Sequence, residues 1–79
     1  MKDQRLYLRH VLESGERIRE YLAPGRDFYL SDPKTQDAVL RNLQVLAESS
    51  QRLSPELKAL RPEIPWRAIA GLRNLLVHD

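Results

Sequence analysis

Five prolines constrain this 79-residue chain more than any other feature, because none interrupts a run of helical periodicity. Proline lacks an amide hydrogen and crowds its predecessor out of the helical region, so it suits first turns and links rather than helix interiors. Pro24 lies in the turn Ala23-Pro24-Gly25-Arg26-Asp27, and Pro33 and Pro55 follow capping residues. Pro62 and Pro65 bound a link, Arg61 to Pro65, that cannot be helical throughout. What lies between the prolines reads as a series of helices.

The first helix is expected over Asp3 to Leu22, where Tyr7, Leu8, Val11, Gly15, Ile18, Tyr21 and Leu22 recur at helical spacing. Gly15 lies on that stripe and is expected to mark a helix–helix contact rather than a break. His10, at the stripe's edge beside Arg9, reads as a surface histidine. Phe28-Tyr29-Leu30 is expected to cap the core as a connecting loop passes over it. The second helix takes its cap from Ser31 or Asp32 and starts at Pro33. Its inner face is Val39, Leu40, Leu43, Leu46, Ala47, Ser50 and Leu53, with Arg41, Gln44, Glu48 and Gln51 toward the other side. Ser54-Pro55 opens a short helix reaching Leu60.

The last stretch, Ile64 to Asp79, carries the most information. Pro65 is expected at the first helical position, and Trp66 is expected to anchor the helix in the core. At ~100° per residue, Trp66, Ile69, Ala70, Leu72, Leu76 and Val77 share one face. Arg73 stands in the middle of it. A guanidinium keeps its proton, so an arginine on a buried stripe must be paired or must face a cleft that an anion enters. Glu48 is a candidate partner where the helices dock suitably, the alternative being a solvated glutamate.

Beside the stripe, Arg67, Gly71, Asn74 and His78 stack on one helix edge at spacings of four, three and four. A permanent cation, an amide donor and a side chain that titrates near neutrality are what a phosphate-handling site needs. Arg73 and His78, five positions apart, point ~140° apart on an ideal helix. Either the helix ends or bends near Val77, or a second copy completes the site. Gly71 suits the second arrangement, because a small residue lets another helix approach.

Composition narrows the rest. There is no cysteine, so disulfides and thiolate metal sites are excluded, and two isolated histidines make no metal site. No apolar run approaches the ~20 residues of a membrane span, and the N-terminus has no signal-peptide core, so a soluble cytoplasmic protein is expected. Thirteen basic against eleven acidic residues, a net +2, permit a nucleic-acid partner without requiring one. A single domain over residues 1–79 is near the small end for burying its own core, which favours dimerisation. The expected class is all-α: an antiparallel bundle of three long helices and a short one.

Three stretches carry a resemblance. They are Phe-Tyr-Leu-x-Asp at 28–32, Leu-Ala-Glu at 46–48, and Ile-Pro-Trp-x-x-Ile-x-x-Leu-Arg-Asn-x-x-x-His at 64–78. Together with the opening helix, they make nearly the whole chain resemble the HEPN superfamily of ribonucleases, in its HepT-like toxin branch. Arg73, Asn74 and His78 fall on that family's motif. The resemblance implies a HEPN-like up-and-down bundle with a final helix beyond Asp79. It implies a homodimer whose motif helices meet, and metal-independent cleavage of RNA through attack of the 2′-hydroxyl on the adjacent phosphate, with no cofactor.

In those roles His78 moves the proton, Arg73 stabilises the developing charge, Asn74 orients, and Arg67 contacts the RNA backbone. The implied setting is a type VII toxin–antitoxin pair whose nucleotidyltransferase antitoxin adenylylates a tyrosine two residues after the histidine. That place falls one past Asp79. The alternative, from the binding class, is a catalytically silent helical subunit that docks a nucleotidyltransferase. A DNA-binding bundle fits least, since no helix–turn–helix spacing carries a basic recognition helix.

Overall fold

The computed structural model describes the backbone of residues 3–78 and the side chains through residue 74. The chain is an all-α helical bundle of five helices: α1 (Gln4–Leu22), α2 (Arg26–Ser31), α3 (Pro33–Gln51), α4 (Pro55–Ala59) and α5 (Trp66–His78).

Local chemistry sets the boundaries. Asp3 caps α1 by accepting the Arg5 amide at 2.9 Å, and the Arg5 guanidinium folds back onto the same carboxylate at 3.1 Å. The hydrogen bonds from Arg5 hold the Asp3 carboxyl below its ordinary range. The chain leaves α1 through Gly25, whose φ of 106° is a conformation that a Cβ would oppose. At α3, Pro33 occupies the first turn and Asp32 the capping place. The Asp32 carboxylate takes the Thr35 hydroxyl at 2.5 Å instead of a backbone amide.

Phe28-Tyr29-Leu30 lies in α2 rather than in a loop, and it does not cover the core. Phe28 is 46% and Leu30 58% exposed, while Tyr29 alone is half-buried. Three consecutive residues on a helix point in directions ~100° apart, so one at most can face a neighbouring helix squarely. The Gln36 amide donates to the carbonyls of Tyr29 at 2.9 Å and Leu30 at 3.2 Å, which ties α2 onto α3.

Helix α3 is the spine, with α1, α2 and α5 packed against it. Helices α1 and α3 run antiparallel. Near the start of α1, Gln4 accepts the Ser54 amide at 2.7 Å, and the Arg52 guanidinium lies 5.5 Å from the centre of the Tyr7 ring. Val11, Val39, Ala47, Leu53 and Ile69 are the buried apolar residues, joined by buried Ser14, Thr35, Asn42, Ser49 and Ser50. Ser50 and Asn42 satisfy their polar groups on the preceding turn, donating to Ala47 at 3.0 Å and Ala38 at 2.8 Å. Leu40, expected inside, is 44% exposed, and Asn42 is buried instead.

A core of small and hydroxyl-bearing residues buries little apolar area, in keeping with an elongated body of 41 × 26 × 22 Å. Because α1 and α5 both pack on α3, an apolar groove of about 350 Å³ stays open between them. It is lined by Val11, Leu12 and Gly15 of α1, Leu46 of α3, and Ile64, Pro65 and Ile69. Gly15 therefore borders open space, and a Cβ there would meet nothing within 4 Å. The helix–helix contact expected at that glycine is not made. No described helix is long and apolar enough to cross a membrane.

Candidate active site

The site depends on how α5 is hung. Ser54 caps α4, its hydroxyl accepting the Leu57 amide at 3.2 Å, with Pro55 in the first turn. After the proline-bounded link, the Trp66 indole N–H donates to two carbonyls at once, Lys58 at 3.0 Å and Arg61 at 3.1 Å. The Lys58 ammonium lies 5.8 Å from the Trp66 ring centroid. Trp66 is thus half-buried and fastened to the end of α4, rather than sunk in the core as expected. The indole N–H needs an acceptor, and the Lys58 and Arg61 carbonyls supply it where the ring sits.

Pro65 stands one place before its expected position. Its carbonyl accepts the Ile69 amide at 3.1 Å, which makes it the residue that caps α5, and the helix proper begins at Trp66. Within the link, the Arg61 guanidinium contacts Glu63 at 2.6 Å and holds that carboxyl below its usual range. Ile69 is the buried anchor of α5, Leu72 is half-buried, and Ala70 is exposed.

Arg73 occupies the mixed position that its place on the stripe suggests. Its side chain is 31% exposed, and its Nε lies 4.0 Å from Oε1 of Glu48, whose side chain is 56% exposed. That separation is an ion pair but not a hydrogen bond. The Nε atom is itself occluded and, among the described residues, without a hydrogen-bond partner. Arg67, Gly71 and Asn74 are all exposed, and a Cβ at Gly71 would meet nothing within 4 Å among the described residues.

The backbone of α5 continues through Val77 to His78, so the helix does not stop short of the histidine. The side chains of Leu76, Val77 and His78 lie outside the described residues. On a regular helix, Arg73 and His78 project ~140° apart. From Trp66 to His78 the helix carries two arginines and no acid. A helix so charged attracts an anion, and Arg73 brings a half-buried guanidinium to it. The attachment of Trp66 to α4 and the placement of Lys58 over its ring were not read from the sequence. An indole followed by a helix that must be hung on something was the only signal for them.

A model of the HepT-like ribonuclease family matches residues 11–79, covering all five helices apart from the opening turns of α1. The chain belongs to the HepT-like ribonuclease family. It is 42% identical over 74 residues, 91% of its length, to a "Probable ribonuclease HepT" of Thermococcus cleftensis, and covers 66% of that relative. A "Putative RNase" of Methanocaldococcus jannaschii is 36% identical over 98% of this chain and 64% of its own length. Another "Putative RNase", from Caldanaerobacter subterraneus, is 33% identical over the whole chain and 71% of its own length. The chain thus spans about two thirds of the length of these HepT-like relatives. No solved structure matches it significantly.

Proposed function

We propose that this HepT-like chain is a metal-independent endoribonuclease whose site forms between the α5 helices of two copies. The observation that carries the reading is α5 itself. Arg73 is a half-buried cation 4.0 Å from Glu48, and Arg67, Gly71 and Asn74 are exposed on a helix that continues to His78, in a family named for ribonuclease activity. A continuous helix directs Arg73 and His78 apart, so one copy cannot readily close both on the same phosphate. A second copy supplies the missing half, with Gly71 allowing the two α5 helices to approach.

In this reading the RNA 2′-hydroxyl gives its proton to the His78 imidazole, and its oxygen attacks the adjacent phosphorus. The bond from phosphorus to the 5′-oxygen of the next nucleotide breaks, and that oxygen takes a proton from water while His78 releases its own to solvent. The products are a cyclic phosphate end and a 5′-hydroxyl end. Arg73 stabilises the charge gathering on the non-bridging oxygens. Asn74 orients the phosphate or the histidine, and Arg67 holds the RNA backbone. We place the activity in a cytoplasmic toxin–antitoxin pair whose antitoxin is a nucleotidyltransferase.

The test is RNA incubated in chelator with the protein and with His78→Ala, followed by analysis of product ends. Cutting with cyclic phosphate ends that disappears in the variant supports the reading. Cutting that survives the substitution, or that the chelator abolishes, refutes it. A folded dimer that binds a nucleotidyltransferase and never cuts RNA would be the silent subunit instead.

A further inference from the structure

We propose that Glu48 is a positioning residue for Arg73. Resting on the ribonuclease reading above, this means that Glu48 holds the Nε edge of the guanidinium so that its terminal nitrogens are presented to the phosphate. Two observations converge. The Arg73 Nε is occluded from solvent with no hydrogen-bond partner among the described residues, and the Glu48 carboxylate pairs with that same atom at 4.0 Å.

A buried N–H without an acceptor is unfavourable, and a shift of about 1 Å would close this contact into a hydrogen bond. The pair is therefore poised at the edge of engagement. A guanidinium carries its five N–H donors in a rigid plane, so fixing one edge fixes where the others point. With Nε committed to Glu48 on α3, the two terminal nitrogens remain for an anion, and they can grip phosphate oxygens as a fork. The spine of the bundle thereby sets the orientation of a side chain on α5. The Glu48 side chain is largely solvated, so it contributes little to stability and can be replaced without unfolding the chain.

A charge-only role and a positioning role predict opposite results. A carboxylate near the phosphate repels RNA, so if that were all, removing it would lower KM and leave kcat alone. Positioning needs an acceptor for Nε–H, which glutamine supplies and alanine does not. We expect Glu48→Ala to lower kcat roughly tenfold or more with little change in KM, and Glu48→Gln to stay within about threefold of wild type.

A second readout does not depend on activity. Exchange of the Arg73 Nε proton with solvent, followed by NMR and assigned through its loss in Arg73→Lys, should be slow in wild type and in Glu48→Gln. It should be fast in Glu48→Ala. Equal exchange in wild type and Glu48→Ala overturns the proposal, as does an unchanged kcat in a folded Glu48→Ala that cuts RNA. If the wild-type protein cuts no RNA, the ribonuclease reading fails on its own. The exchange comparison then decides whether Glu48 holds Arg73: protection lost in Glu48→Ala upholds the hold, and no difference refutes it.

Discussion

Replacing Trp66 with phenylalanine tests whether α5 hangs from α4 by a single indole. The substitution removes an N–H shared by the Lys58 and Arg61 carbonyls, at 3.0 and 3.1 Å. Neither carbonyl is orphaned: Lys58 still accepts the Arg61 amide at 3.0 Å, and Arg61 still accepts the Ile64 amide at 3.2 Å. The loss is therefore the net worth of one hydrogen bond, about 1 kcal/mol, rather than a full desolvation penalty. Phenylalanine also weakens the Lys58 cation–π contact, by about 0.5 kcal/mol. The smaller, half-buried ring forfeits a similar amount of apolar burial, again about 0.5 kcal/mol.

Together these come to about 2 kcal/mol, which in a domain of this size lowers Tm by roughly 8–16 °C. Thermal unfolding followed by circular dichroism measures it, with Leu60→Gln as the matched control. Leu60, the residue just past α4, is 72% exposed, and its replacement should change stability by less than about 0.5 kcal/mol. A Trp66→Phe protein melting within about 2 °C of wild type would refute the idea that the indole carries the attachment.

Substitutions at two further positions separate the fold of one chain from the assembly of two. Ile69 is the buried anchor of α5, and Ile69→Ala should destabilise by about 2–4 kcal/mol, read as a lower urea midpoint at unchanged slope. Gly71 borders open space, so Gly71→Ala should raise stability by about 0.5–1 kcal/mol through helix propensity. Gly71→Leu should leave the single chain folded yet weaken self-association, measured by sedimentation equilibrium. Unchanged association would remove Gly71 from the proposed contact.

The helices were legible because the prolines, caps and apolar spacing agree with one another. Asp3, Pro33 and Ser54 mark starts that the structure keeps to within a residue. The sequence does not separate the cap from the first helical position at Pro65, because a proline serves equally before and within a first turn, and the Ile69 amide decides between them. Helix α2 was read as a loop because six residues are too few to show a period.

The core was harder to read. Ser49 and Asn42 are buried while Leu40 is exposed, and hydropathy alone points the other way. Where polar side chains can bond the turn behind them, as Asn42 and Ser50 do, burial no longer follows apolarity. For the candidate site, the place of Arg73 on an apolar stripe requires a partner or an anion-facing cleft, with Glu48 one candidate, and the structure brings the two to 4.0 Å. Gly71, Asn74 and Arg67 lie exposed, which the edge they share allows. What the sequence did not reveal was how α5 is held, because that depends on backbone carbonyls and not on residue type.

The central claim is that the site belongs to two copies. It is tested most directly by mixing two inactive variants, Arg73→Ala and His78→Ala, unfolding them together and letting them reassociate. If each site takes its arginine from one copy and its histidine from the other, mixed dimers contain one complete site. RNA cleavage should then return to roughly a quarter of the wild-type rate, the statistical share for a two-fold dimer. A mixture as inactive as either variant alone, in a preparation where the wild type recovers its activity, would contradict the shared site.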